Sequence, residues 1–415
     1  VTLAYGSAPI AEELNVITTA ARSARKVALI SGAALVLASG VAAAGDYKVT
    51  PLVTDSQSVL ATLGYGAAPY VDPALINPWD ISNSDTGPWV IADTGGAGCC
   101  AAGTATSYNG SGVKQGPTVS IPQGSGPPFG PTGVVYAGGA GFALPGGGQA
   151  QYVFDNLDGS ISGWDGASAS AQTLLPGRGP GGNLAAYTGL EIASYDGQTL
   201  LYAANNITGN IDVFDTALDP VTLPGNFTDP NPNPLGLLPF NITELNGKLW
   251  VTYAVPGPPS SAQPLGSGFV DEYNLDGTFD ARFATGGMLD SPWGTAIAPA
   301  NFGRYSNDVL IGNFNDDGGL GYILAYSPSG TYLGTLDEKG SPIVLPGLWA
   351  IQFGNDGASG PSNDLYFAAG IGDENHGLFG MISYVPEPSS WALMIMGVGL
   401  IGASLRTRSA GRRLT

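Results

Sequence analysis

The sequence has little with which to do acid–base or metal chemistry. One histidine, His376, occurs in 415 residues, with two cysteines, Cys99 and Cys100, and fourteen lysines and arginines. A single histidine excludes histidine-rich metal sites, and it obliges any Ser-His-Asp arrangement to use His376. That residue lies in a turn-like stretch, Gly372-Asp373-Glu374-Asn375-His376-Gly377, where a solvated side chain is expected. The cysteines are adjacent, and neighbouring Cα atoms lie about 3.8 Å apart, shorter than ordinary disulfide geometry allows. A vicinal disulfide or two free thiols are the options, and neither staples a fold. Charged residues are 11% of the chain, with thirty-three acidic side chains against the fourteen basic ones. Such a surface repels phosphate backbones, so nucleic-acid binding is not expected.

The basic residues gather at the two ends. Arg22, Arg25 and Lys26 precede an apolar run from Val27 to Ala43 that closes on Ala42-Ala43-Ala44. A positive segment, a hydrophobic segment and a small-residue cleavage site read as a secretory signal peptide, predicted as a helix, so residues 1–44 are leader and signal. No methionine precedes Met288, so Val1 reads as a non-standard start or the chain begins upstream of the true one. At the other end stand Val385-Pro386-Glu387-Pro388-Ser389-Ser390-Trp391, an apolar run to Leu405, then Arg406, Arg408, Arg412 and Arg413. Residues 389–405 as a helix would be about 25 Å long, at the lower limit for a transmembrane helix. The arginines beyond favour a cytoplasmic C-terminus. A buried or amphipathic helix is the alternative, but the run has no polar face.

Pro386, Glu387 and Pro388, the hydrophobic span and the basic end at Arg406 and Arg408 together resemble the PEP-CTERM sorting signal of Gram-negative bacteria. The resemblance covers residues 386–415. It implies export, a membrane anchor, processing by an exosortase and a final place at the cell surface or outside the cell.

Between the two signals, residues 45–385 form the exported body. It keeps seven basic against thirty acidic side chains, a net charge near −23. Across the 415-residue chain glycine and proline are abundant, at 64 and 32 residues, which without a period would suggest disorder. There is a period. Six segments open alike: Pro78-Trp79-Asp80-Ile81, Pro131-Thr132-Gly133-Val134, Tyr187-Thr188-Gly189-Leu190, Pro239-Phe240-Asn241-Ile242, Pro292-Trp293-Gly294-Thr295 and Leu348-Trp349-Ala350-Ile351. Their third positions are 53, 56, 52, 53 and 56 residues apart. Each opening is followed by a short apolar run such as Leu201-Tyr202-Ala203-Ala204, then a turn of Gly, Asn or Asp, then a third run such as Gly209-Asn210-Ile211-Asp212-Val213-Phe214-Asp215. Short strands bounded by turn chemistry, with no helix-period segment, predict an all-β body. Three clear strands and a variable fourth make one blade, and six blades make a closed ring without exposed sheet edges: a six-bladed β-propeller.

A ring needs a clasp. The sixth blade lacks an outer strand, and Tyr47-Lys48-Val49-Thr50-Pro51-Leu52-Val53-Thr54 has no blade of its own. Residues 47–54 are therefore predicted to pair with Leu378 to Tyr384.

The repeat resembles the NHL-type propeller unit, most closely at Thr208 to Asp215. The whole body, with Pro292-Trp293-Gly294 and Ile311-Gly312-Asn313-Phe314, is similar to a family of uncharacterised exported propellers that often carry this sorting tail. That resemblance implies no activity.

Candidate chemistry is sparse. Asn313-Phe314-Asn315-Asp316-Asp317-Gly318 has the start of a calcium loop, but its twelfth position is Leu324 where a bidentate Glu is needed. It reads as a hairpin turn, as do Asn156-Leu157-Asp158-Gly159 and Asn274-Leu275-Asp276-Gly277. In a propeller the third positions form a ring around the axis: Asp80, Gly133, Gly189, Asn241, Gly294 and Ala350. Asp80 and Asn241 face each other across it, Glu191 lies on an inner strand, and Asp93, Asn156, Asn205 and Asn313 end the second strands. Asp80, Glu191 and Asn241 are thus candidate calcium ligands at a channel mouth, as in lactonase-type propellers, where the cation polarises a carbonyl and a carboxylate activates water. The alternative is that these side chains cap backbone groups and turns. Trp79, Trp293 and Trp349 occupy equivalent positions, for which packing between blades is a better account than carbohydrate stacking.

Two functions follow. The first is a surface or extracellular-matrix propeller with a binding or structural role, associated with exopolysaccharide. The second is a calcium-dependent hydrolase of lactonase type. Composition and tail suffice for the first; the second needs a charged cluster that is incompletely supplied.

Overall fold

The computed structural model describes residues 46–96, 103–124, 130–256, 265–314, 321–386 and 396–397. The signal peptide, Cys99 and Cys100, the 315–318 part of the calcium-like loop and the tail from Glu387 to the arginines, residues 396–397 apart, lie outside them. No described helix is long and apolar enough to cross a membrane.

Six sheets carry the six repeats, antiparallel throughout except where Asp46–Thr54 meets Tyr70–Val71 in parallel in blade six. Their inner strands are Pro78–Asn83, Pro131–Tyr136, Tyr187–Tyr195, Leu238–Leu245, Pro292–Ile297 and Leu348–Phe353, one per blade in chain order. Each pairs with the second apolar run, and that with the third, so every blade is a meander from the axis outward. Outer strands complete most blades; in blade three only the Phe214–Pro220 bridge stands in that place. The predicted turns are turns: the amide of Gly159 donates to the Asn156 carbonyl and that of Gly277 to the Asn274 carbonyl.

The clasp is formed as expected. Asp46–Thr54 runs antiparallel to Leu378–Val385, with Tyr47 opposite Tyr384 and Thr54 opposite Leu378. The Thr54 hydroxyl donates to the Gly377 carbonyl at 2.8 Å, and the Tyr47 hydroxyl reaches the Phe302 carbonyl of blade five at 2.8 Å. One short helix was not legible in the period: Gln57–Leu60, whose first turn is capped by the Ser56 side chain. It places Leu60, fully buried, against the core of blades five and six.

The inner strands share an irregularity. Each has a register shift at its second or third residue, between Pro78 and Asp80 in blade one, for example, and between Leu348 and Ile351 in blade six. A bulge there bends the strand where six strands converge. Crowding explains the small third positions. A Cβ on Gly189 would lie 2.0 Å from Asn241 Oδ1, and one on Gly294 would lie 2.8 Å from both the Ile351 nitrogen and the Trp349 oxygen.

Candidate functional site

The second positions of the repeats, Trp79, Thr132, Thr188, Phe240, Trp293 and Trp349, close one end of the axis. Trp79 stacks on Trp349 with ring centres 3.7 Å apart, Phe314 stacks on Trp349 from another side at 3.9 Å, and Trp293 meets Trp349 edge-on at 6.1 Å. All three tryptophans are buried. The Trp293 indole donates to the Thr188 carbonyl at 3.0 Å across the ring. This is packing between blades, as their equivalent positions predicted, and none of these rings offers a face to a sugar.

The plug changes the geometry of the candidate site. It fills the side where inner strands begin, which is also the side where the second strands end. Asp93, Asn156, Asn205 and Asn313 are accordingly buried beside it and do not line an open mouth. Asn205 Oδ1 accepts the amides of Ala186, Ile207 and Thr208, and Asn313 Oδ1 accepts that of Asp290 while its Nδ2 donates to the Met288 carbonyl at 2.7 Å. Asn205 and Asn313 match the capping alternative.

What remains open is a cup of about 600 Å³, running from the third-position ring to the ends of the inner strands, where Asp85 and Asn246 are exposed at the rim. Asp80, Glu191 and Asn241 all line it, so the structure brings the three candidate residues into one cavity. Each is engaged by the protein. Asp80 Oδ1 accepts the Ile81 amide and Oδ2 the Val134 amide of blade two, both at 2.8 Å. Glu191 repeats this one layer further toward the rim: Oε1 takes the Ile192 amide at 2.8 Å and Oε2 the Glu244 amide of blade four at 2.9 Å. Asn241 Nδ2 donates to the Trp293 carbonyl of blade five at 3.1 Å. Ser82 accepts the Tyr136 amide at 3.0 Å in the same manner.

The physical reason is the innermost edge. The first strand of each blade has no neighbour on its axial side, so its outward amides need acceptors. Asp80, Ser82 and Glu191 supply them and latch one blade to the next. Burial pushes Asp80 well above the usual carboxylate range despite its two amide bonds, and the nearby Asp155 and Glu191 act in the same direction. Burial likewise raises Glu191 to about 7, and Asp155, which lies beneath the cup and accepts from the Thr132 hydroxyl at 3.0 Å, to about 7. Among the described residues no three His, Cys, Asp or Glu side chains group as a metal site.

His376 lies away from the cup. Its Nδ1 is 2.7 Å from Asp55 Oδ2, and Asp55 Oδ1 accepts the Gly377 amide at 2.8 Å. The ring is partly buried and joins the end of the clasp to the loop before the strand it pairs with.

A family model for the PEP-CTERM protein-sorting motif matches residues 385–409. An uncharacterized protein of Acanthamoeba polyphaga mimivirus is similar over 351 residues at 28% identity, covering 82% of this chain and 86% of its own length. A second uncharacterized protein of the same virus is 26% identical over 331 residues, 76% of each chain. Among solved structures, a protein of unknown function from Bacteroides thetaiotaomicron aligns over 74% of this chain and 70% of its own, at 10% identity and a TM-score of 0.46.

Proposed function

We propose that this chain is an exported binding module: a rigid six-bladed ring, delivered to the cell surface or the extracellular matrix, that offers its central cup to a component of that layer, with exopolysaccharide the expected partner. The sorting motif implies export in a Gram-negative bacterium and processing by an exosortase. One observation supports the finer reading most directly. The motif begins at Val385, which is also the last residue of the third strand of blade six, so no linker separates ring and tail. Val385 lies on the rim side of the ring, because its strand runs parallel to the inner strand that ends at Phe353. A tail held in the membrane would turn the cup toward it, and cutting the tail would release the ring whole, with the cup uncovered.

The test is the mass of the mature protein in cells with and without the exosortase. Loss of the peptide containing Trp391 only where the enzyme is present supports the reading. Full-length protein in both cells sinks it. The calcium-dependent hydrolase remains the weaker reading, since Asp80 and Glu191 each hold two backbone amides and no observation favours a metal over those amides.

A further inference from the structure

We infer that the cup binds an amine-bearing, hydroxyl-rich chain, that is, an amino sugar with free amino groups, and that it does so through an asymmetry in how the six inner strands are latched. This rests on the binding-module reading above and assigns its ligand class. In each of blades one to four at least one inner-edge amide is taken by a side chain, that of Asp80, Ser82 or Glu191. In blades five and six the equivalent places hold Gly294, Ala296, Ala350 and Gln352, of which only Gln352 carries an acceptor. The register is the same in all the blades concerned: Val134 lies opposite Phe154 as Thr295 lies opposite Ile311 and Ile351 opposite Phe367. By that register the amides of Thr295, Ile297, Ile351 and Phe353 point into the cup as those of Val134 and Tyr136 do, and no side chain among the described residues receives them.

Two side-chain donors join them. The Thr295 hydroxyl lines the cup, is 4% exposed as a residue, and has no hydrogen-bond partner among the described residues, nor has the buried Asn83 Nδ2. Buried donors of this kind are nearly always satisfied, by protein, water or ligand. This sector thus asks for acceptor oxygens. The rim of blades one and four asks for the opposite: Asp85 forms no hydrogen bond or ion pair among the described residues, Glu244 has one oxygen on the Gly247 amide and the other uncommitted, and no lysine, arginine or histidine lines the cup.

A bare cation is matched by the carboxylates but repelled by the amides. An anion meets the reverse, in a body that is strongly negative overall. Hydroxyl oxygens on blades five and six, with an ammonium reaching Asp85 or Glu244, match both sectors at once. The volume lies within the usual range of ligand pockets, about 300–1,000 Å³.

The probes are glucosamine oligomers and N-acetylglucosamine oligomers of matched length, titrated calorimetrically into the purified full chain. The free-amine oligomer is expected to bind at least about tenfold more tightly, and the pair Asp85→Asn and Glu244→Gln to remove that advantage, a loss of roughly one charge-assisted hydrogen bond per site. Thr295→Val should weaken both oligomers alike. Circular dichroism of each variant confirms the fold. Equal binding of the two oligomers overturns the amine assignment and leaves the binding-module reading standing. No binding of either by folded protein, a cup that holds water alone, overturns both. Tighter binding of a lysyl peptide of equal charge than of the glucosamine oligomer also overturns the sugar assignment.

Discussion

Asp46 lies directly opposite Val385, so the first residue of the clasp and the first residue of the sorting motif are neighbours on one edge of blade six. The segment that closes the ring and the residue at which the sorting motif begins share a single sheet. Closure is thereby tied to both ends of the body, and a chain that has not folded cannot present its tail from a finished blade.

Removing residues 46–54 is expected to unfold the ring and not merely trim it, because blade six then exposes Leu378–Val385 as an open edge. A milder probe is Tyr47→Phe, which leaves the Phe302 carbonyl without its donor and should cost about 1–3 kcal/mol. Denaturant unfolding measures both. An unchanged midpoint in the deletion defeats the clasp.

Gly294→Ala forces a methyl against the backbone of Trp349 and Ile351, neither of which can rotate away. Overpacking of this kind should cost about 1–3 kcal/mol. Gly340→Ala is a control for backbone strain without crowding, since its Cβ meets nothing within 4 Å although its φ is +74°. Equal losses in the two variants would show that crowding at the axis is not what demands glycine.

Stability should fall as pH rises from about 4.5 to about 7. Glu191, Asp155 and Asp271 are each raised by burial to about 7. Over that window the native state holds protons that the unfolded chain has released, so deprotonation favours unfolding. Asp72, held low by Lys114 and Tyr108 against its burial, acts in the opposite sense at lower pH. Melting curves at pH 5 and pH 8 check the sign, and Glu191→Gln should flatten part of the slope. A higher melting temperature at pH 8 than at pH 5 contradicts the burial of these carboxylates.

Added calcium is expected to leave the melting temperature unchanged, because the oxygens of Asp80 and Glu191 are already on amides of two blades each. A calcium-dependent rise that disappears in Asp80→Asn would restore the hydrolase reading.

The ring was legible because repetition makes it so. Six openings at nearly constant spacing, each followed by two β-period runs, leave few architectures, and an orphan strand at one end with a missing strand at the other implies the clasp. The sorting tail was legible for a different reason: the composition and order of Pro386, Glu387 and Pro388 with their apolar and basic sequel carry the motif. The helix Gln57–Leu60 is not legible in the sequence because four residues are too few for a helical period.

The cup was legible only in part. Sequence alone brought Asp80, Glu191 and Asn241 toward one axis, since equivalent positions of a cyclic repeat must converge. It left undecided which end of that axis is open. Trp79, Trp293, Trp349 and Phe314 come from three blades, and only their packing shows that they plug the side where inner strands begin. Nor did it decide whether a carboxylate faces a cation or a neighbour's amide, because Val134 and Glu244 lie more than fifty residues from the acids they meet. Periodicity and local composition are properties of the chain itself; the first determined the blades and the clasp, the second the address. Which end is open, and what each polar group touches, depends on contacts between blades, and those exist only when the ring is closed.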